Sequence, residues 1–156
     1  MKFEERQQIN RPPSEVFLGL SRPDLYLSSW SRGVLSASEV PSEKRATPAV
    51  YKIVGRDLIG KAHWRYEVTS AEPGKTFSAR ATGGPIHFTD SFTLRSLADG
   101  TTEVTHVQDI EPKGMFGLLG PVFPIVWPTL IRHNLTNFKA VMEKRKSPIP
   151  TLAETS

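Results

Sequence analysis

A single amphipathic helix comes after a long series of strand-like segments, and that order limits the possible folds more than any other feature. Trp127, Ile131, Leu135, Phe138 and Met142 recur at steps of 4, 4, 3 and 4 residues, which places them on one stripe of an α-helix. Between residues 33 and 111 the pattern is that of short strands, cut by turn residues at Pro41-Ser42, Gly60, Glu72-Pro73-Gly74, Gly83-Gly84-Pro85 and Asp99-Gly100. These cuts predict strands near 33–40, 49–58, 61–71, 75–82, 86–97 and 101–111. Asp99-Gly100 is the sharpest hairpin signal, because both residues accept the positive φ angles of a tight turn. Within 61–71, Ala62, Trp64, Tyr66 and Val68 alternate with Lys61, His63, Arg65 and Glu67. One apolar and one solvated face describe an antiparallel sheet covered on a single side. The helix stripe must be buried against that side.

The remaining elements precede and follow this block. Phe3 and Ile9 share one parity and predict a first strand over 2–10. Pro12-Pro13-Ser14-Glu15 opens a short helix through Val16, Phe17 and Leu20, and Pro23-Asp24 opens a second through Leu25, Leu27 and Trp30. The last helix runs from about Pro121 or Trp127 to Arg145, with Pro128 either kinking it or marking the start of its regular part. Ser147-Pro148-Ile149-Pro150 stops it, so residues 1–146 read as one domain and 147–156 as a flexible tail.

Composition narrows the chemistry. With 156 residues, 38% hydrophobic and 23% charged, the chain has the make-up of one soluble domain. It has no cysteine, which excludes disulfides, thiolate catalysis and cysteine-held metals. No His-Glu-x-x-His spacing and no phosphate loop occurs, so neither a metal site nor a cofactor is expected. The net charge of +4 is mild, and the basic helix end at 139–146 lacks an aromatic stripe, which argues against nucleic acid as a partner. Residues 1–6 are charged and show no secretory signal, so the expected location is cytoplasmic.

Several motifs, in order, resemble the SRPBCC superfamily, the helix-grip fold of START-domain, birch-pollen-allergen and polyketide cyclase/dehydrase-like proteins. They are Ile9-Asn10-Arg11-Pro12-Pro13-Ser14-Glu15-Val16-Phe17, then Pro23-Asp24-Leu25 with Trp30, Tyr66-Glu67-Val68-Thr69 before Glu72-Pro73-Gly74, and Asp99-Gly100-Thr101-Thr102-Glu103-Val104-Thr105 leading to Glu111-Pro112-Lys113-Gly114. The resemblance covers residues 2–145. It implies an α+β fold in which a curved seven-stranded antiparallel sheet wraps a long C-terminal helix, with two short helices after the first strand. One departure stands out: the turn at 41–48 is longer than the family's usual glycine-containing turn, charged and without glycine. Cavity-entrance geometry therefore does not carry over.

The resemblance also puts the first strand beside the last, and the last beside the sixth. Taking Phe3, Ile9, Phe88, Phe92, Leu94, Val104 and Ile110 as inward brings Glu5, Gln7, Asp90, His106 and Gln108 inward with them. Five polar groups do not suit a dry core. Three explanations stay open: a wet ligand cavity, mutual pairing, or a bulge that turns some of them to solvent. His106 with Glu5 or Asp90 is the candidate acid/base pair. Candidate ligand contacts are Gln7, Trp64, Tyr66, Phe88, Phe92, Gln108, Phe123, Trp127, Ile131 and Leu135.

Residues 114–131 carry no charge, yet Gly117, Gly120, Pro121, Pro124 and Pro128 interrupt them, so no stable membrane insertion is expected. The segment reads as a cover over the cavity that could also pair two chains as a homodimer. The leading expectation is a soluble protein enclosing a small hydrophobic or polar-headed molecule, such as a lipid, isoprenoid or polyketide-like compound. The alternatives are a cyclase, dehydratase or isomerase using His106, and a regulatory domain that binds a partner.

Overall fold

Two helices that each begin on proline carry the chain from one edge of a sheet to the other. After β1 (Lys2–Ile9) come α1 (Pro13–Ser21) and α2 (Pro23–Trp30), then β2 (Val34–Glu39), β3 (Val50–Arg56), β4 (Lys61–Glu72), β5 (Thr76–Thr82), β6 (Ile86–Ser96) and β7 (Thr102–Pro112). A 3-10 helix (Gly114–Val122) leads directly into α3 (Phe123–Lys144). The computed structural model describes residues 1–41, 49–56 and 60–144. All but the first residue of the unusual 41–48 turn, and the whole 147–156 tail, lie outside them.

The strand order is β1-β7-β6-β5-β4-β3-β2, all antiparallel. β2 to β7 form a meander, and β1 closes on β7, as the resemblance implied. Pairing shifts register only between Val34 and Ser36 and between Val68 and Ser70 among the described residues. No bulge interrupts β1, β7 or β6, so the inward parity deduced for Glu5, Gln7, Asp90, His106 and Gln108 holds and the bulge explanation falls away. The Asp99-Gly100 turn also forms as expected: Gly100 takes φ +83° and Thr101 N–H donates to Asp99 Oδ1 at 3.1 Å.

Phe77, Ile9, Leu135, Phe138 and Met142 are fully buried between the sheet and the C-terminal part of α3. Gly19 lets α1 approach that end of α3, since a Cβ there would sit 2.7 Å from Met142 Sδ. In α2 the buried residues are Pro23, Tyr26 and Trp30, while Leu25, assigned to the buried stripe from sequence, is exposed. The short helix rotates Tyr26 inward instead, where its hydroxyl-bearing ring still covers the core.

α3 lies along β1 through a row of polar contacts. Gln7 Nε2 donates to Thr136 Oγ1 at 3.3 Å, Arg132 donates to Glu5 Oε1 at 3.1 Å, and Asn10 N–H donates to Glu143 Oε1 at 2.9 Å. The α-helix begins at Phe123, before Trp127, and carries Pro128 inside it. The missing proline N–H costs one hydrogen bond near the start, where the preceding 3-10 turn already changes the pattern.

Candidate functional site

The buried polar cluster grows from the sheet register. Asp90 on β6 pairs with Gln108 on β7, and Phe92 pairs with His106, one step along the same inward face. On the other side β5 presents only Ala79 opposite Asp90 and Ala81 opposite Tyr66 of β4. Two methyl groups leave the Tyr66 ring room to reach across β5, and its hydroxyl donates to Asp90 Oδ2 at 3.0 Å. Asp90 Oδ1 accepts from Gln108 Nε2 at 2.8 Å and lies 2.8 Å from His106 Nε2.

Asp90 is 8% exposed and His106 4% exposed, so the cluster must supply its own solvation. A buried carboxylate is tolerated when donors surround it, and Tyr66, Gln108 and His106 provide three. A carboxylate accepts, which places the His106 proton on Nε2. In the neutral ring Nδ1 then holds a lone pair, and this buried atom has no partner among the described residues. The imidazole is held flat against Phe92, with ring centroids 4.2 Å apart and planes 9° apart. Burial first, then the charge of Asp90 and the hydrogen bond to it, push the Tyr66 hydroxyl well above the ordinary phenol range. It is therefore a fixed donor.

Above the cluster the sheet and the first turns of α3 diverge around a cavity of about 740 Å³. Its wall includes Asp90, His106, Gln108 and Tyr66, with Trp64 and Phe88 from the sheet. Phe123, Val126, Trp127, Leu130 and Asn134 of α3 face it, joined by Phe116, Leu119 and Val122 from the 3-10 helix. Trp127 ties the helix to the cluster, since its Nε1 donates to Gln108 Oε1 at 2.6 Å. Trp64 is held in place by donating from Nε1 to the Ile86 carbonyl at 2.8 Å.

Of the residues singled out from sequence, His106, Asp90, Gln108, Tyr66, Trp64, Phe88, Phe123 and Trp127 converge on this cavity. The other five do not line it. Phe92, Ile131 and Leu135 belong to the solid core, because the cavity occupies only the N-terminal half of the space under α3. Gln7 and Glu5 do face α3, but at its flank: Gln7 bonds Thr136, and the Glu5 carboxylate is engaged by Arg132. Glu5 sits opposite His106 in the register, yet His106 pairs with Asp90 and not with Glu5. Among the described residues no three His, Asp or Glu side chains converge as a metal site.

With this geometry in hand, comparison with known proteins is decisive for the family. Residues 1–143 match the family of polyketide cyclase / dehydrase and lipid transport proteins. The chain belongs to that family. No curated protein matches the chain. Among solved structures, a START superfamily protein of Mycobacterium smegmatis matches with a TM-score of 0.75 at 12% identity, covering 92% of this chain and 97% of that one. A conserved protein of Geobacillus kaustophilus gives 0.74 at 18% identity, with 92% and 96% covered. The Zhui aromatase/cyclase of Streptomyces sp. R1128 gives 0.73 at 12% identity, with 93% and 94% covered. At such identities these structures establish the fold, the helix-grip architecture of the polyketide cyclase/dehydrase family.

Within that family frame, the cavity residues of α3 that its buried stripe does not include fall on a neighbouring stripe. Val126, Leu130 and Asn134 recur every 4 residues, one position before the stripe of Trp127, Ile131 and Leu135. The cavity spans the stripe of Val126 and the N-terminal end of its neighbour, where Phe123 and Trp127 face it, while Ile131 and Leu135 further along the neighbour are core. Trp30, Arg32 and Arg56 also line the cavity. They come from the end of α2, the turn after it and the end of β3, and their approach to α3, where Arg32 N–H donates to Asn134 Oδ1 at 2.9 Å, is a relation between distant segments that no local pattern encodes.

Proposed function

We propose that this member of the polyketide cyclase/dehydrase family binds a small, mostly apolar molecule bearing a neutral hydrogen-bonding head. One observation carries the reading: a cavity of about 740 Å³ walled by aromatic and aliphatic side chains around a single buried polar cluster. That size and make-up fit a drug-sized or isoprenoid-sized ligand. The head-group preference follows from charge at the buried end of the cavity, Arg32 and Arg56 being on the exposed part of its lining. A second carboxylate beside buried Asp90 would meet both desolvation and repulsion, whereas a hydroxyl or carbonyl would not. Two wall residues each have a buried polar atom without a partner among the described residues, the donor Trp30 Nε1 and His106 Nδ1. A hydroxyl can satisfy either atom, donating to His106 Nδ1 or accepting from Trp30 Nε1, and a carbonyl can accept from Trp30 Nε1. A cytoplasmic location belongs to this proposal.

Native mass spectrometry of freshly purified protein tests the binding reading, and co-purification of an apolar alcohol, ketone or lipid is the expected result. Titration with farnesol and with lauric acid, followed by tryptophan fluorescence, tests the head group. Farnesol should bind and laurate should bind at least tenfold more weakly. Equal affinities would remove the head-group claim, and absence of any binding or co-purified compound would remove the whole reading.

A second reading rests on His106. A carboxylate fixed on Nε2 and an unpartnered Nδ1 form the arrangement of an oriented general base. It would suit proton transfer at an enolisable carbonyl, as in cyclase, dehydratase or isomerase chemistry. A co-purified compound incubated with fresh protein should then be converted, and His106→Asn should abolish conversion while leaving binding in place. Unchanged conversion by that variant ends the catalytic reading.

A further inference from the structure

The 3-10 helix and the first turn of α3 expose an apolar surface unlike the rest of the molecule. Met115 is 72% exposed, Leu118 85% and Ile125 75%. Leu119, Val122 and Val126 are also exposed while lining the cavity, so one apolar surface runs from the outside, over the rim, into the interior. By length and composition alone the helix over Gly114–Lys144 could cross a membrane. However, Ile131, Leu135, Phe138 and Met142 are packed into the core, which keeps its second half in the fold. What is left for another phase is a face.

We propose that the outer face of residues 114–126 seats the protein on the surface of an anionic lipid bilayer, with the cavity mouth toward the lipid. Three observations favour lipid over a protein partner. First, residues 114–131 contain no charged side chain, and Thr129 is their only hydroxyl or amide side chain. A protein interface normally adds a hydrogen-bonding rim, whereas hydrocarbon rewards a uniform apolar face. Second, Arg32 and Arg56 are exposed, line the same cavity and have no acidic partner among the described residues. Lys113, at the start of the segment, is by contrast already held by Glu111. Two exposed guanidinium groups on the cavity that this apolar face borders match anionic head groups. Third, the segment is helical, so its backbone groups are largely satisfied internally and its face can enter the boundary region to a depth of about 5–10 Å.

The test uses purified full-length protein sedimented with vesicles of phosphatidylcholine alone or of an equal mixture of phosphatidylcholine and phosphatidylglycerol. The protein should co-sediment with the mixed vesicles and much less with phosphatidylcholine. Leu118→Asp with Ile125→Asp should abolish co-sedimentation, and Met115→Ser with Leu118→Ser should weaken it at least tenfold. Both pairs are exposed, so the circular dichroism and melting of the variants should match the parent. Arg32→Gln with Arg56→Gln should reduce affinity for the mixed vesicles by roughly fivefold per arginine, and leave phosphatidylcholine binding unchanged. Failure of the parent protein to bind either vesicle, or equal binding by the Asp variant, overturns the proposal. So does sedimentation equilibrium showing a dimer that dissociates on Leu118→Asp with Ile125→Asp, since the face would then belong to a second copy. None of these readouts needs a bound ligand, so they stand apart from the test of cavity binding.

Discussion

Asp90 Oδ1 lies 2.8 Å from His106 Nε2, with both side chains buried on adjoining strands. Because Tyr66 and Gln108 donate to the same carboxylate, these donors and His106 solvate the Asp90 charge, and Asp90 in turn satisfies three donors at once. Asp90→Ala leaves those donors without an acceptor, and such losses in buried ionic networks cost about 3–5 kcal/mol. Asp90→Asn keeps one acceptor oxygen but turns an amide N–H toward a donor, so its cost should be smaller. Urea unfolding measures both. An Asp90→Ala variant within about 1 kcal/mol of the parent would show that the cluster contributes no stability.

Tyr66 gives a test in alkaline solution. Its folded-state pKa is raised by burial and by Asp90, whereas in the unfolded chain it titrates near the ordinary value of about 10. Below that pH both states hold the proton, and the hydroxyl contributes fully. Above it the unfolded chain loses the proton while the folded protein keeps it, so stability falls as pH rises. The slope approaches about 1.4 kcal/mol per pH unit until the folded hydroxyl ionises. Tyr66→Phe lacks this slope. The parent should therefore be more stable than the variant at neutral pH, and its advantage should shrink from about pH 10 upward. Parallel stability–pH profiles for the two proteins would contradict the assignment of Tyr66 as a buried donor.

The sheet was legible because it is written in parity and punctuation. Val68 and Glu67 face opposite sides as their alternation required, and the turn at Gly100 has the φ its sequence predicted. The same parity brought Asp90, His106 and Gln108 together, since side-chain direction in a strand follows from counting residues. Ile131 and Leu135 were misassigned to the cavity for a different reason. Their spacing says that they are buried, but not whether side chains or a cavity lie opposite. That depends on Phe138, Met142 and Gly19 closing one end of the interior, a relation between distant segments. Glu5 was legible as inward but not as the partner of Arg132, because that pairing is set by how α3 lies across β1.

Gly84 controls the position of one cavity wall. A Cβ at this residue would lie 2.2 Å from Trp64 Nε1, the atom that donates to the Ile86 carbonyl. Neither the indole edge nor the backbone can yield by that amount without breaking the bond. Gly84→Ala should therefore cost about 1–3 kcal/mol, as overpacking typically does, and push Trp64 into the cavity. Thermal unfolding reads the first effect. Weaker uptake of farnesol reads the second, and an alanine variant with parental stability and uptake would show that the wall adjusts freely.

The three tryptophans of the chain, Trp30, Trp64 and Trp127, all line the cavity, so intrinsic fluorescence reports on its contents. Trp127 has a second part, because its Nε1 joins α3 to Gln108 and through it to Asp90. Trp127→Phe keeps an aromatic ring against Phe123, 5.3 Å away by ring centroids in the parent, and removes the donor together with part of the ring volume, a loss that an alcohol and an alkane of equal length share. Gln108 Oε1 is then left partly buried without its partner, at a cost of about 1–3 kcal/mol. A ligand hydroxyl reaching Gln108 would recover part of that loss, so an alcohol should bind the variant relatively better than an alkane of the same length. The comparison is made by quenching of the remaining Trp30 and Trp64 with dodecanol and dodecane. If the alcohol gains nothing over the alkane in Trp127→Phe, the polar cluster does not receive the ligand head.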